Sequence, residues 1–240
     1  MMGSNHAVTD RASRLSKARK IEALIGGDLR GQSLLDLGCG SGYLSAYFQE
    51  AGADVTAADT RRETLETDVP FTALSSKRLP FPDAAFDMVV FNHVIEHVGD
   101  AEHQLRALDE IHRVLRPGGS LYLAVPSKWA LIEPHFRIPL LGAMPRPLAD
   151  RMVRILHGQP EYDCYPLDKG ELYRMLSSRF ARVEDVAVKA VEWVIEHEIE
   201  GLPRKLMRGV PRSMFGMLKF AFPTHIMLAT KADMGTTGVR

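Results

Sequence analysis

The sequence predicts an α/β fold, a three-layer sandwich in which helices cover both faces of a mostly parallel sheet. Short β-rich runs alternate with helical ones along the chain. Apolar runs at 86–91 and 120–126 are typical of strands that are buried on both faces. A glycine-rich bend joins the first strand to the helix after it. With 240 residues, 45% of them hydrophobic, the chain can bury one large core.

The elements follow one another in an order that supports this fold. Residues 10–25 carry apolar side chains at helical spacing, and two glycines follow, which predicts an amphipathic leading helix. The predicted strands lie at 33–37, 54–58, 70–74, 86–91, 120–126, 182–189 and 224–231. Further helices are predicted at 43–51, 101–115 and 168–180, with a mostly helical stretch from 190 to about 221. Residues 127–166, rich in proline, aromatic and basic side chains, predict an insertion over the edge of the sheet.

The composition argues against several classes of protein. Lysine plus arginine equals aspartate plus glutamate, 30 against 30, so we expect no nucleic-acid partner held by a global positive field. Cys39 and Cys164 are too few for a disulfide framework and lack a paired metal-ligand spacing, which favours a cytoplasmic protein without a structural metal. The first 30 residues lack the apolar core of a secretion signal, and no apolar run reaches the ~18 residues that span a bilayer.

The segment LLDLGCGSGYLS at 34–45 carries Gly38, Gly40 and Gly42 where a strand gives way to a helix. Glycines are needed there because the backbone must turn sharply and let a ligand lie against it without a Cβ in the way. Asp59 ends the second strand, 19 residues past Gly40, and its carboxylate is suited to accept hydrogen bonds from both hydroxyls of a ribose. The pattern predicts a nucleoside-binding edge of the sheet.

The residues at this bend distinguish between the candidate cofactors. A dinucleotide-binding loop would place a glycine where Tyr43 stands, and Asp36 just before the bend would repel a pyrophosphate. A carboxylate there suits a ligand with an ammonium group. S-adenosylmethionine has an amino acid moiety, a sulfonium and no phosphate, so the charges favour that cofactor.

Three runs carry a resemblance to a known family: D-L-G-C-G-S-G, then L-P-F-P-D-A-A-F-D at 79–87, then L-R-P-G-G at 115–119. Over residues 30–126 the chain resembles the class I S-adenosylmethionine-dependent methyltransferases. The resemblance implies a Rossmann-like fold with a seven-stranded sheet whose last strand is antiparallel, plus helical insertions. It also implies that the glycine loop contacts the methionine part, that Asp59 holds the ribose and that the segment before L-P-F lies beside the adenine. The residues expected to bind the cofactor are Asp36, Gly38, Cys39, Gly40, Ser41, Gly42, Asp59, Thr60, Ser75, Ser76, Asn92 and His93.

The run from Asn92 to His97 allows two interpretations, because H-x-x-E-H is also the zinc-binding pattern of a peptidase class. A zinc site of that kind needs both histidines on one face of a continuous helix. Here the pattern follows a buried strand, at the edge where open α/β sheets bind ligands. We therefore predict a place in the ligand cleft and no metal.

Methyl transfer to a hydroxyl needs a group that takes the proton, and histidine suits that task near neutral pH. His93 and His135 are the candidates. His135 lies in an E-P-H run, similar to one found in some small-molecule methyltransferases that act on glycans, lipids and secondary metabolites. The alternative is that Glu133 and His135 only pin the insertion to the body of the protein.

These patterns predict a methyltransferase for a small molecule, with a hydroxyl acceptor slightly preferred and a lipid- or glycan-linked acceptor included. The L-P-F-P-D run also resembles the quinone-ring C-methyltransferases, which is the nearest enzymatic alternative. Base-amine methyltransferases usually carry N-P-P-Y where this chain has N-H-V-I, which disfavours a nucleic-acid acceptor. An alternative of another class is a non-catalytic protein that binds the cofactor or serves as a scaffold.

We interpret residues 1–240 as a single domain, a monomer or a homodimer, with four parts. A leading helix occupies 1–29, the cofactor-binding half 30–126, and acceptor-side insertions or a lid 127–166 and 190–222. The stretch 202–222 holds five basic residues and no acidic one, with prolines that limit helix length. We favour a cap packed on the sheet, and the alternative is peripheral contact with an anionic membrane.

Overall fold

The computed structural model describes residues 11–203, 210 and 222–233. The helices are α1 (Arg11–Ile25), α2 (Tyr43–Glu50), α3 (Ala101–Val114), α4 (Arg146–His157), α5 (Lys169–Ser177) and α6 (Ala187–His197). The strands are β1 (Ser33–Leu37), β2 (Asp54–Asp59), β3 (Phe71–Ala73), β4 (Phe86–Asn92), β5 (Leu115–Pro126), β6 (Arg182–Asp185) and β7 (Thr224–Thr230).

The seven strands form one sheet in the order β3-β2-β1-β4-β5-β7-β6. Strands β1 to β5 pair in parallel, whereas β7 runs antiparallel to both β5 and β6. The predicted Rossmann-like α/β sandwich with an antiparallel last strand is confirmed. Strand order reverses between β1 and β4, so the connections leaving these two strands open a crevice at their carboxyl ends.

Apolar side chains cover both faces of the sheet, which accounts for the continuous apolar runs in the sequence. On one face, Leu35, Val89 and Leu123 pack with residues of α3 and α5. On the other face, Val90 and Tyr122 pack with residues of α1, α2 and α6. Alternate residues of a strand therefore enter two different cores, and the sheet becomes a rigid middle layer.

Two predicted boundaries at the far side of the sheet are wrong. The strand predicted at 182–189 ends at Asp185, because the Asp185 carboxylate accepts the backbone N–H of Ala187 at 3.0 Å and helix α6 begins there. Val186 and Ala190 then lie one helical turn apart and are both buried. An alternating pattern over eight residues concealed this switch from strand to helix.

Strand β5, predicted at 120–126, begins instead at Leu115 with an irregular stretch that contains Pro117, Gly118 and Gly119. Leu115 already pairs with Phe86, and the register shifts before the pairing of Ser120 with Met88. Gly118 has φ +74°, which only glycine adopts without strain, and this allows the bulge. Helix α4 lies within the predicted insertion and was not itself predicted. Strands β1 to β4 and β7 and helices α1 to α3 and α5 begin and end within a few residues of their predicted bounds.

The insertion at 127–166 contains α4 and a small core of its own. Ala149 and Val153 of α4 pack on Phe136, Leu141 and Tyr162. None of the described helices combines the length and apolar character that a membrane crossing requires. The predicted lid at 202–222 lies almost wholly outside the described residues, and the division of residues 1–240 into parts of a single domain stays an interpretation.

Arg113 of α3 ties the L-P-F-P-D segment to the body of the protein. Its guanidinium donates to the carbonyl oxygens of Leu79 at 3.0 Å and Phe81 at 2.8 Å and to the Glu110 carboxylate at 2.7 Å. Only 17% of the Arg113 side chain is exposed. These charge-assisted contacts explain why the pKa of Arg113 is raised.

Replacing Arg113 by Met will lower the free energy of unfolding by about 2–3 kcal/mol, because two carbonyls and a carboxylate lose their donor in a water-poor site. Urea denaturation monitored by circular dichroism measures the change. Arg106→Met is the matched control: its partner Glu102 is 67% exposed, so a change below about 0.5 kcal/mol is expected. Equal losses in the two variants would contradict the anchoring role of Arg113.

Candidate active site

The carboxyl ends of β1, β2 and β4 meet at one edge of the sheet. The glycine bend follows β1, Asp59 ends β2, and Asn92 ends β4. His93 comes next with φ +57°, a left-handed conformation that costs a histidine strain energy. The residues singled out in the sequence at these three positions are therefore brought together by the topology.

The three glycines of the bend all have positive φ, 78°, 53° and 78° for Gly38, Gly40 and Gly42. A Cβ at Gly38 would come within 2.3 Å of the Val94 side chain, and one at Gly42 within 2.3 Å of Thr67 Oγ1. A Cβ at Gly40 would meet nothing within 4 Å. The outer glycines are thus required by packing, whereas the middle one faces open space where a ligand can approach the backbone.

Asp59 points at this bend. Its Oδ2 accepts the backbone N–H of Gly40 at 2.9 Å, and its Oδ1 accepts the N–H of Thr60 at 2.7 Å. The carboxylate is half-buried, and Oδ1 also accepts from Thr60 Oγ1 and from the Arg61 N–H, both at 3.3 Å. Oδ2 has a single donor, so it keeps a position for a further one. The bond to Gly40 fixes the distance between the acid and the open part of the bend.

Asp36 lies beneath the bend and is 2% exposed. Its Oδ2 accepts a hydrogen bond from Ser45 Oγ of α2 at 2.5 Å. Burial raises the pKa of Asp36 to about 6; Ser45 acts against the shift and the charge of Asp59 adds to it. The carboxylate is therefore costly in the free protein at neutral pH.

The other residues predicted to bind a cofactor occupy the same edge at different depths. Cys39 and Ser41 are buried within the bend, and burial raises the pKa of the Cys39 thiol. Ser75 and Ser76 are exposed on the loop after β3, where Ser76 Oγ donates to the Arg78 carbonyl at 2.7 Å. Their contact with a ligand stays a prediction.

The H-x-x-E-H run does not form one helical face. After the left-handed His93, a short 3₁₀ turn covers Ile95–His97. Glu96 is fully buried, with its Oε1 3.5 Å from His93 Nδ1 and 3.4 Å from His135 Nε2 of the insertion. Burial acts to raise the pKa of Glu96, but the two imidazoles outweigh it and hold the pKa low, at about 2. An anionic carboxylate thus lies between two histidines.

Glu133 organises the turn that presents His135. Its Oε2 accepts the backbone N–H groups of His135 at 2.8 Å and Phe136 at 2.6 Å, and its side chain is buried. The Glu133 N–H in turn donates to the carbonyl of Ile138 at 3.0 Å. Glu133 therefore shapes the insertion, while the imidazole of His135 reaches out of it toward Glu96.

Arg14 and Lys17 of α1 approach this edge and were missed by sequence reasoning. Burial lowers the pKa of Lys17 to about 8, with the charges of Arg14 and Lys20 acting in the same direction and Glu96 opposing them. Burial also lowers the pKa of Arg14, against the charge of Asp36. Two cations three residues apart on the apolar side of the predicted helix were the available signal.

The chain is similar in sequence to known methyltransferases. A family model described as "Methyltransferase domain" matches residues 35–123. The chain is 34% identical over 115 residues to malonyl-[acyl-carrier protein] O-methyltransferase from Pseudescherichia vulneris, 45% of either chain. It is 33% identical over 138 residues to demethylmenaquinone methyltransferase from Beutenbergia cavernae, 54% of this chain and 55% of that protein. The chain thus spans about half the length of these curated relatives.

Solved structures share the fold at low sequence identity. The PH0226 protein from Pyrococcus horikoshii superimposes with a TM-score of 0.61 at 17% identity, covering 95% of this chain and 94% of that one. The 1,6-didemethyltoxoflavin-N1-methyltransferase from Burkholderia thailandensis, solved with 1,6-didemethyltoxoflavin and S-adenosylhomocysteine, gives 0.53 at 21% identity, covering 93% and 80%. These likenesses cover more of the chain than the family model does, but they show the fold alone.

The contrast between Gly38 and Gly40 gives a prediction about stability. Gly40→Ala adds only the strain of a left-handed alanine, about 1 kcal/mol, because its Cβ meets open space. Gly38→Ala adds a collision with Val94 and will cost about 2–4 kcal/mol. Urea denaturation distinguishes the two. In Gly38→Ala/Val94→Ala part of the loss should return, and failure to recover any of it would refute the packing explanation.

Asp36 gives a prediction about pH. Its folded-state pKa lies above the ordinary 3.8, so the native state binds the proton more tightly, and stability falls as pH rises from about 4 to about 6. Above that window a penalty of about 3 kcal/mol persists, which Asp36→Asn removes. We expect the variant to be more stable than the wild type by about 1–3 kcal/mol at pH 7.5 and equally stable near pH 4. A difference independent of pH would contradict this.

Proposed function

We propose that this chain, a member of the class I S-adenosylmethionine-dependent methyltransferase superfamily, transfers a methyl group from S-adenosylmethionine to a small-molecule acceptor. The observation that carries the proposal is the hydrogen bond between the Asp59 carboxylate and the Gly40 N–H. It places an acid with spare acceptor capacity beside backbone that no side chain covers. That arrangement suits a ribose at Asp59 and the rest of a nucleoside lying along the bend.

The residues along the edge match the parts of this cofactor in order. Asp59 would accept the ribose hydroxyls, and the open backbone at Gly40 would lie against the methionine part. The buried negative charge of Asp36 would favour the methionine ammonium group across the bend. The exposed Ser75 and Ser76 would lie beside the adenine, with Thr60 next to the ribose.

In this reaction the protein acts mainly by positioning the acceptor atom against the methyl carbon. The acceptor atom attacks the methyl carbon in line with the departing sulfur, from the ~3–3.5 Å of a near-attack geometry. As the new bond forms, the carbon–sulfur bond breaks and the sulfonium becomes a neutral thioether. The positive charge at sulfur disappears during the step, so a site that binds it too tightly would oppose the reaction.

A hydroxyl is the slightly preferred acceptor in this proposal, and lipid- or glycan-linked molecules are among the acceptors it includes. Asn92 and His93 line the crevice from β4, and His135 enters from the insertion. The two imidazoles are the groups that would assist the loss of the hydroxyl proton. The malonyl-carrier O-methyltransferase relative supports oxygen chemistry.

A second candidate function is methylation of a quinone-like ring carbon. The 33% identity to a demethylmenaquinone methyltransferase favours it. Both candidates use the same cofactor edge and differ in what the insertion accepts. A cytoplasmic location and a monomer or homodimer are further parts of the proposal, and peripheral membrane contact through 202–222 is the alternative to a packed cap.

Methyl transfer is tested by incubating the full chain with methyl-labelled S-adenosylmethionine and a panel of hydroxylated glycans, hydroxy lipids and demethylated quinols. Label in an extracted hydroxyl compound supports the first candidate, and label on a quinol ring supports the second. Asp59→Ala removes a charged hydrogen-bond acceptor worth about 1.5–3 kcal/mol and should weaken S-adenosylhomocysteine binding about 10–100-fold.

The control variant is Asp54→Ala, at the opposite, exposed end of the same strand, which should bind as the wild type does. Binding of S-adenosylhomocysteine without transfer to any acceptor class would favour the non-catalytic alternative. Absence of binding by the wild type would refute the proposed function.

A further inference from the structure

The cluster of His93, Glu96 and His135 has an arrangement that methyl transfer does not explain. The Glu96 side chain has no exposed surface, and neither of its oxygens has a hydrogen-bond partner within the described part of the chain. The two nearby imidazoles stabilise its charge, but a buried carboxylate without close hydrogen-bond donors can still gain from a closer cationic partner. A fold that keeps one at the edge of its ligand crevice gains if something positively charged binds there.

The separations of the two imidazole nitrogens from Glu96 Oε1 fit a shared metal ion better than hydrogen bonds. An imidazole donating to a carboxylate lies at about 2.7–2.9 Å. The measured distances from Glu96 Oε1 are 3.5 Å to His93 Nδ1 and 3.4 Å to His135 Nε2. Two ligands bound to one tetrahedral zinc at ~2.0–2.1 Å lie about 3.3 Å apart, close to these values.

The ligand set also has the composition of a metal centre that leaves a position open. Two imidazoles and one carboxylate are a common three-residue set for zinc, with a fourth position left for water or substrate. Their ligand atoms all lie within 4.8 Å of one another. The His93 and His135 side chains are 25% and 17% exposed, whereas Glu96 is at the bottom, so the open position faces outward.

The cluster adjoins the predicted cofactor site. Val94, next to His93, packs so closely over the glycine bend that a Cβ at Gly38 would collide with it. Lys17 feels the charge of Glu96, yet it makes no hydrogen bond with either Glu96 oxygen. A ligand bound to this cluster would therefore sit at the acceptor side of the same crevice.

We propose that His93, Glu96 and His135 bind one divalent transition-metal ion of the zinc type, with an open position toward the crevice. The pattern is not that of the H-x-x-E-H peptidases, because the third ligand comes from the insertion and His97 takes no part. The ion explains why the insertion carries His135 to a carboxylate 39 positions away in sequence.

The catalytic consequence rests on the proposed function, whereas metal binding itself does not. An acceptor hydroxyl oxygen that takes the open position loses its proton more readily, because the ion stabilises the alkoxide. The proton passes to solvent, the oxygen attacks the methyl carbon, and the carbon–sulfur bond breaks to give the thioether. The histidines then act as ligands instead of proton acceptors, and the acceptor class narrows to molecules that present an oxygen.

A second set of candidate ligands, His97, His135 and Cys164, overlaps the first. His135 belongs to both, so one ion can use only one of them. Cys164 Sγ already lies 3.6 Å from Asp163 Oδ1 and 3.7 Å from His97 Nδ1, whereas the Glu96 oxygens lack a donor. We therefore assign the ion to the set that contains Glu96. Binding by the set that contains the Cys164 thiol is the alternative that the experiment distinguishes.

Isothermal titration of Zn²⁺ into the metal-free full chain tests the proposal. We expect one ion per chain, and an affinity that falls more than about 100-fold in Glu96→Gln and in His135→Gln. Cys164→Ser and His97→Asn, the matched controls, should bind as the wild type does. Circular dichroism checks that each variant is folded.

The visible absorption spectrum of the Co²⁺-substituted wild type reports the coordination geometry of the ion. This measurement does not depend on whether any variant folds. Tetrahedral cobalt bands without a thiolate charge-transfer band support the Glu96 set. No stoichiometric binding, octahedral cobalt, or a thiolate band together with loss of affinity in Cys164→Ser would overturn it. Titration of S-adenosylhomocysteine into the metal-free protein tests the proposed function independently of the metal site. A chain that binds zinc but not S-adenosylhomocysteine would refute only the proposed function.

Discussion

The hydrogen bond from the Gly40 N–H to the Asp59 carboxylate is the constraint on which the rest of the site depends. It ties the bend after β1 to the end of β2 and therefore fixes one side of the crevice that strand order opens at β1. Gly38 and Gly42 allow this because side chains of neighbouring segments occupy the space a Cβ would need. The open backbone at Gly40 is the consequence, and a nucleoside can lie there without displacing protein atoms.

Several groups around this hydrogen bond are unusual for a protein interior. Asp36 is buried beneath the bend with one hydroxyl donor, Glu96 is buried between two imidazoles, and His93 holds a left-handed backbone. The buried charge of Asp36 and the left-handed backbone of His93 oppose folding in the free protein, and Asp36 and Glu96 place two buried carboxylates at one edge of a chain whose formal net charge is zero. Such concentration is understandable if the ligands that complete the edge are cationic, as a sulfonium, an ammonium and a metal ion all are.

Local pattern was sufficient for the parts of the fold that local chemistry decides. The sheet, the bend and the approach of Asp59 to it could be predicted because buried strands and glycines leave a strong signal, whereas the antiparallel last strand was expected from the family resemblance. The β6–α6 boundary could not, because one Asp185 hydrogen bond decides it. The contact of His135 with Glu96 depends on how the insertion folds back onto the sheet edge. The approach of Lys17 to that edge depends on where α1 packs. Neither contact produces a periodic pattern in the sequence.

The proposed site requires that the open bend and Asp59 together hold an adenosyl group. A crystal structure of the full chain with S-adenosylhomocysteine measures this most directly. We expect both ribose hydroxyls within about 3 Å of the Asp59 carboxylate and the homocysteine part against the Gly40 backbone. A nucleoside bound elsewhere, or an Asp59 carboxylate turned away from the ribose, would contradict it.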